Sequence, residues 1–144
     1  MISETERYQG VVFSRIARNI SSLNLSQYNS RSSSSYIVNN VGIFIKYSTK
    51  RMSPWSFTFN KQHQEEIEEM NKNLKGVVVV LVCGTDGVAS LSSAELKKVL
   101  DDDYGDVERI TVSRPPRGKY RISGTDGKLK KAIGDNEFPG KLFK

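Results

Sequence analysis

Seven consecutive apolar residues, Val77-Val-Val-Val-Leu-Val-Cys83, leave this chain few ways to fold. The run is rich in β-branched side chains, far shorter than the roughly 20 residues of a membrane span, and free of the polar alternation that marks a strand with one wet face. It predicts a central strand covered on both sides, and the cover has to come from the rest of the chain. Ser3 and Glu6 form an S-x-x-E capping box, after which Tyr8, Val12, Phe13, Ile16 and Ile20 recur at helical spacing, predicting a helix from about Glu4 to Ile20. His63, Ile67, Met70 and Leu74 make the apolar stripe of a second helix whose other face carries Glu65, Glu66, Glu68 and Glu69. Tyr36 to Asn39, Val41 to Tyr47 and Trp55 to Phe59 predict strands forming a meander, the first two broken by Asn39-Asn40 and Gly42. Helix, strands, helix and buried strand together predict an α/β (α+β) core.

Beyond it, Thr85-Asp86-Gly87 is a turn leading to a strand at Val88 to Leu91, and Ser92 with Glu95 caps a short helix through Leu100. Asp101-Asp102-Asp103 closes that helix against its macrodipole. Val107 to Ser113, Lys119 to Ser123 and Lys128 to Ile133 predict a small antiparallel unit joined by SRPPRGKY and GTDGK. The expectation is one domain over 1–144, with a core at about 4–100 and a basic β appendage at about 106–144. The segment Ser21 to Ser35, rich in Ser and Asn and free of acids, is expected to be a loop, either mobile or ordered only by a ligand.

The net charge of +6 is unevenly spread: residues 1–60 carry +5, residues 61–110 carry −5, and residues 111–144 carry +6. An acidic middle between two basic segments can fold into a molecule with one cationic face, the footprint of a nucleic-acid binder. Cys83 is the only cysteine, so no intramolecular disulfide forms and a reducing, cytoplasmic setting is expected. The N-terminus lacks the apolar stretch of a signal peptide, and no membrane partner is expected. His63, the only histidine, shares an apolar stripe, has no acid or serine placed for a triad, and is expected to be packed or half-buried. Cys83 is expected to act as a small hydrophobe and Asp86 as a turn residue.

The candidate site begins on the strand that delivers Lys46, with Ser48, Thr49, Lys50, Arg51 and Ser53 close behind, a concentration of donors suited to phosphate oxygens. No Asp, Glu or Cys stands between Arg7 and Glu65, so this stretch offers neither metal ligands nor a general base. Trp55 has two readings, a platform for a base or a core anchor against the first helix. Arg114, Arg117, Lys119 and Arg121 surround the rigid Pro115-Pro116 pair, either as a backbone clamp or as a solvated hairpin tip.

The phrase VGIFIKYS and the order of elements over about residues 4–83 resemble the restriction-endonuclease-like, PD-(D/E)XK group of nucleases. A KYS-x-x-R-x-SPW phrase is similar to one found in small bacterial proteins. The resemblance implies a mixed sheet flanked by helices, with a strand carrying an acid, a residue and a lysine. Here those positions are Phe44-Ile45-Lys46, and Asn39 or Asn40 stands where the family's first acid would be. The resemblance then implies that Mg²⁺-dependent cleavage is lost while phosphate contact survives. The expected role is that of a non-catalytic nucleic-acid-binding component, without metal or other cofactor, in a prokaryotic or phage DNA defence (antiviral), modification or repair assembly. Two alternatives stand beside it: a Mg²⁺-dependent nuclease using Lys46 with a displaced Glu66 or Glu69, and a protein-interaction subunit that docks through its acidic helix or its Ser/Asn-rich loop.

Overall fold

The computed structural model describes residues 1–29, 31–101 and 107–143. It is a mixed α+β structure. Helices α1 (Glu4–Asn19), α2 (Lys61–Asn73) and α3 (Ser93–Val99) accompany strands β1 (Leu25–Gln27), β2 (Ser35–Val38), β3 (Val41–Ser48), β4 (Trp55–Phe59), β5 (Val77–Cys83), β6 (Gly87–Ser92), β7 (Glu108–Ser113), β8 (Arg121–Gly124) and β9 (Gly127–Lys128). Two 3-10 turns, at Asp135–Glu137 and Gly140–Phe143, close the chain. Asp102 and Asp103, expected to end α3 unfavourably, lie outside the described residues.

The first sheet has the order β1-β2-β3-β5-β6. Its β3–β5 pair is parallel and its other pairs are antiparallel. Strand β5 is buried at every position, as its unbroken apolar sequence predicts. Val78, Val80 and Val82 join Val12 and Ile16 of α1, with Ile43, Ile45, Phe138 and Leu142, in one cluster. Val77, Val79, Leu81 and Cys83 pack on the other side with Ile67 and Met70 of α2, Leu96 and Val99 of α3, and the inner face of a second sheet.

That second sheet, ordered β4-β7-β8-β9, is antiparallel throughout. The expected meander therefore stops after two strands. β2 and β3 form a hairpin closed by Val38 and Val41, with Asn39 and Asn40 at φ 50° and 70°. Two left-handed residues define a type I′ turn, whose twist matches the strands it joins, and asparagine tolerates that region better than most residues. β4 instead crosses to the second sheet and pairs with β7, Phe57 opposite Ile110. Its alternation of buried Trp55, Phe57 and Phe59 with exposed Ser56 and Thr58 suits a strand covered on one face only.

The segment expected to be a plain loop contains β1, which pairs with β2 as an edge strand. Asn39 makes this possible: its side chain accepts the Asn24 N–H at 2.7 Å and donates to the Ser22 carbonyl at 2.9 Å. From the other side, Ser35 donates to Glu66, and Tyr28 donates to Glu69 at 2.9 Å. Two of the glutamates on the outer face of α2 thus hold this segment.

Because the contacts on both faces of β5 are close-packed, shortening one of its side chains leaves a void. Leu81→Ala is expected to cost about 2–5 kcal/mol in chemical denaturation, whereas Thr58→Ala, on an exposed position, should change stability by less than about 0.5 kcal/mol.

Candidate nucleic-acid interface

Strand alternation sorts the second sheet into an apolar inner face and a polar outer one. In register across β4, β7 and β8, Ser56 lies opposite Thr111 and Thr111 opposite Ser123, while Thr58 lies opposite Arg109 and Ser113 opposite Arg121. Lys128 of β9 pairs with Ser123. These eight residues make an outer face of hydroxyls and cations that contains no carboxylate. The sequence pattern points to Arg121 among these, and not to Ser56, Thr58, Arg109, Thr111, Ser113 or Ser123. The signal that marks them is the hydroxyl at every second position of WSFTF, RITVS and RIS, alternating with the buried residues.

The basic segments 50–53 and 114–117, far apart in sequence, meet at one end of this sheet. There Arg51, Ser53, Asp86, Arg114, Pro116 and Arg117 line a cleft of about 360 Å³. The Arg114 N–H donates to Ser53 Oγ at 3.0 Å, fastening the two segments together. Gly84, with φ +55°, lies so close to the first of them that a Cβ there would stand 2.3 Å from the Lys50 carbonyl oxygen. Only glycine suits both that dihedral angle and that approach. Lys50, Arg51, Arg117, Lys119 and Arg121 are exposed. Arg117 is the third residue of a turn in which the Gly118 N–H donates to the Pro115 carbonyl at 2.9 Å. Its φ of 62° falls in the left-handed region. A position that ordinarily favours glycine or asparagine here holds a cation out into solvent at a conformational cost of about 1 kcal/mol.

Not every residue expected at the site is free to serve it. Arg114 is a clamp rather than a phosphate ligand: its guanidinium pairs with Asp86 at 2.8 Å and donates to the Gly118 carbonyl at 2.9 Å. Asp86, expected to be a simple turn residue, also accepts the buried Tyr120 hydroxyl at 2.7 Å. Burial alone would raise the Asp86 carboxyl, but the hydrogen bonds from Tyr120 and Arg114 outweigh it and hold the pKa below its ordinary value. Trp55 is 2% exposed and offers no face to a base. It packs edge-on to Tyr120 and not against α1, and its indole N–H donates to the Lys50 carbonyl at 2.8 Å. Ser48 is half-buried and accepts the Lys50 N–H at 3.2 Å.

Lys46 stands apart from Lys50 and Arg51. Its ammonium donates to the Thr58 carbonyl, lies 5.1 Å from the Phe59 ring centroid and 3.5 Å from His63 Nδ1, and burial lowers its pKa. His63 is half-buried against Phe44, as expected, and burial followed by the Lys46 charge lowers its pKa. Cys83 is wholly buried, and burial pushes its thiol up to about 12.

The residues around Lys46 do not fit the Mg²⁺ ion of the nucleases that the sequence resembles. Phe44 is fully buried. Asn40 precedes Lys46 by six residues of extended chain, a separation of about 20 Å. Among the described residues, the group of three acidic side chains whose oxygens converge is Asp101, Glu108 and Asp126, at the opposite end of the second sheet from the cleft. Burial, followed by hydrogen bonds with Asp126 and Asp101 and then by their charges, pushes Glu108 up to about 8. None of the described helices is long and apolar enough to cross a membrane. Comparison with protein-family models, curated proteins and solved structures finds no match.

Two outcomes follow from these contacts. Asp86→Ala strands the buried Tyr120 hydroxyl without its acceptor and should lower unfolding stability by about 1–3 kcal/mol in a denaturant titration. Glu108 keeps its proton when folded up to about pH 8, whereas its ordinary pKa is 4.5. The folded state therefore binds more protons across that window, and stability should fall as pH rises through it. Melting curves in chelating buffer between about pH 5 and 8 should show this decline in the wild type and not in Glu108→Gln.

Proposed function

We propose that this chain binds nucleic acid through the outer face of its second sheet and the cationic cleft at one end of that sheet, without cleaving it. The observation that carries the reading is the sidedness of the sheet: hydroxyls and cations outside, no carboxylate among them, and the exposed cations Arg51, Arg117 and Arg121 gathered where two distant segments meet. Phosphate oxygens accept hydrogen bonds from all of these groups, and repeated phosphates along a backbone suit an extended face better than a pocket. With Trp55 buried, backbone contact rather than base stacking dominates.

The core fits a restriction-endonuclease-like arrangement in this reading, with parallel β3 and β5 flanked by α1 and α2. Phe44 in place of an acid removes the means to hold a catalytic metal beside Lys46. A part in a DNA defence, modification or repair assembly accords with such a retained, non-cutting fold.

The test is fluorescence anisotropy of labelled single- and double-stranded DNA and RNA over a salt series with Mg²⁺ present, followed by sizing of the products. Wild type is expected to bind with an affinity that falls steeply with salt and to leave the strands intact. Arg51→Ala, Arg117→Ala and Arg121→Ala combined should weaken binding at least about tenfold and shrink the salt slope by up to about three phosphate contacts. No binding at about 0.15 M salt would overturn the proposal, and so would cleavage of the strands.

A further inference from the structure

β7 places Glu108, Ile110 and Val112 on the buried side of the second sheet, so a carboxylate stands where the alternation calls for an apolar residue. Glu108 is 4% exposed, and its Oε2 is buried with no hydrogen-bond partner. A buried carboxylate oxygen left this way is costly, because water has been removed and nothing has replaced it. What faces it makes the position worse. Carboxylate oxygens of Glu108, Asp101 and Asp126 all lie within 4.8 Å of one another.

The backbone fixes this arrangement. The turn between β8 and β9 lies against the end of α3 so closely that a Cβ at Gly124 would stand 2.3 Å from the Val99 carbonyl oxygen. Within that turn, the Asp126 N–H donates to the Val99 carbonyl at 3.0 Å, and Asp126 Oδ2 accepts the Asp101 N–H at 2.9 Å. On its other side, the Thr125 N–H donates to the Arg109 carbonyl at 3.0 Å, and the Arg109 N–H donates to Thr125 Oγ1 at 2.9 Å. The two aspartates are thus held to α3 and to β7, the strand that carries Glu108, and the three acids are brought together by backbone contacts rather than by chance rotation of long side chains.

We propose that Asp101, Glu108 and Asp126 form a binding site for one divalent cation of calcium size. The donors are all hard oxygens, the set that selects Ca²⁺ or Mg²⁺ over zinc or copper. Mg²⁺ keeps several waters and takes one or two carboxylates, whereas Ca²⁺ accepts six to eight oxygens, so three converging carboxylates suit Ca²⁺. Oxygens that all lie within 4.8 Å of one another can reach one such ion together. A cation there gives the Glu108 oxygen a partner at a place where three acidic groups converge, with water filling the outward coordination positions. The site is separate from the cationic face, and its existence does not depend on nucleic-acid binding.

The experiment uses the full chain stripped with a chelator and then titrated with Ca²⁺ alone, by calorimetry and by thermal unfolding, with no nucleic acid present. Saturable one-to-one binding with a Kd below about 1 mM is expected, together with a rise in Tm that grows with Ca²⁺ concentration and exceeds the rise given by the same concentration of Mg²⁺. Asp126→Asn, an exposed change that leaves the core intact, should weaken binding at least tenfold, and Glu108→Gln should do the same. If Glu108→Gln does not fold, the Asp126→Asn result stands alone. Absence of both heat and Tm shift at about 1 mM Ca²⁺ overturns the site, as does an affinity unchanged by Asp126→Asn.

Discussion

β5 has no face that can meet water. Val77 to Cys83 present apolar side chains in both directions, and each full burial of such a side chain contributes about 1.5–3 kcal/mol. That condition forces a layered molecule: α1 on one side, and α2, α3 and a whole second sheet on the other. The parallel pairing of β3 with β5 follows from the same need, since a chain that returns to lie parallel to an earlier strand must cross over the sheet, and the crossover through β4 and α2 carries the apolar residues that cover it.

The second sheet serves two purposes at once, and strand alternation keeps them apart. Trp55, Phe57, Phe59, Ile110, Val112 and Ile122 face inward and complete the core. The residues between them are left to face outward, and the sequence fills those places with serine, threonine, arginine and lysine. At one end, Arg114 is used up in joining Asp86 and the carbonyl of Gly118, so that Arg51, Arg117 and Arg121 stay unencumbered. At the other end, an inward position is given to Glu108. The sheet is therefore cationic at one end and acidic at the other, while its core-facing side is continuous except at that glutamate.

The elements whose patterns are local could be read from the sequence with little loss. The capping boxes at Ser3 and Ser92, the stripe His63-Ile67-Met70-Leu74 and the solid run of β5 all find their expected places. What escaped was decided by partners distant in the chain. β4 looked like a third strand of a meander because alternation tells which face of a strand is wet, not which sheet it joins. Of the two readings of Trp55 the structure shows burial in the core, but its neighbour is Tyr120, brought in by the pairing of β4 with β7 and of β7 with β8. Sequence proximity groups Lys46 with Lys50 and Arg51, yet the end of β3 carries Lys46 under Phe59 while the following turn carries the others outward. The Ser/Asn-rich segment looked structureless because the groups that order it, the Asn39 side chain and the carboxylates of Glu66 and Glu69, sit on elements far from it.

β4 is made early and paired late. The ribosome delivers Trp55, Phe57 and Phe59 before α2, β5, β6 and α3, yet the strand that caps their backbone is β7, after all of these. The hairpins β2–β3 and β5–β6 close over short stretches of chain, whereas this pairing must wait for one of the longest loops in the molecule to close. Until that pairing forms, the aromatic strand has a free edge, the kind of surface on which unfinished chains find one another. Its serine and threonine alternation, which later makes a polar outer face, also keeps that waiting strand wet on one side throughout its exposure.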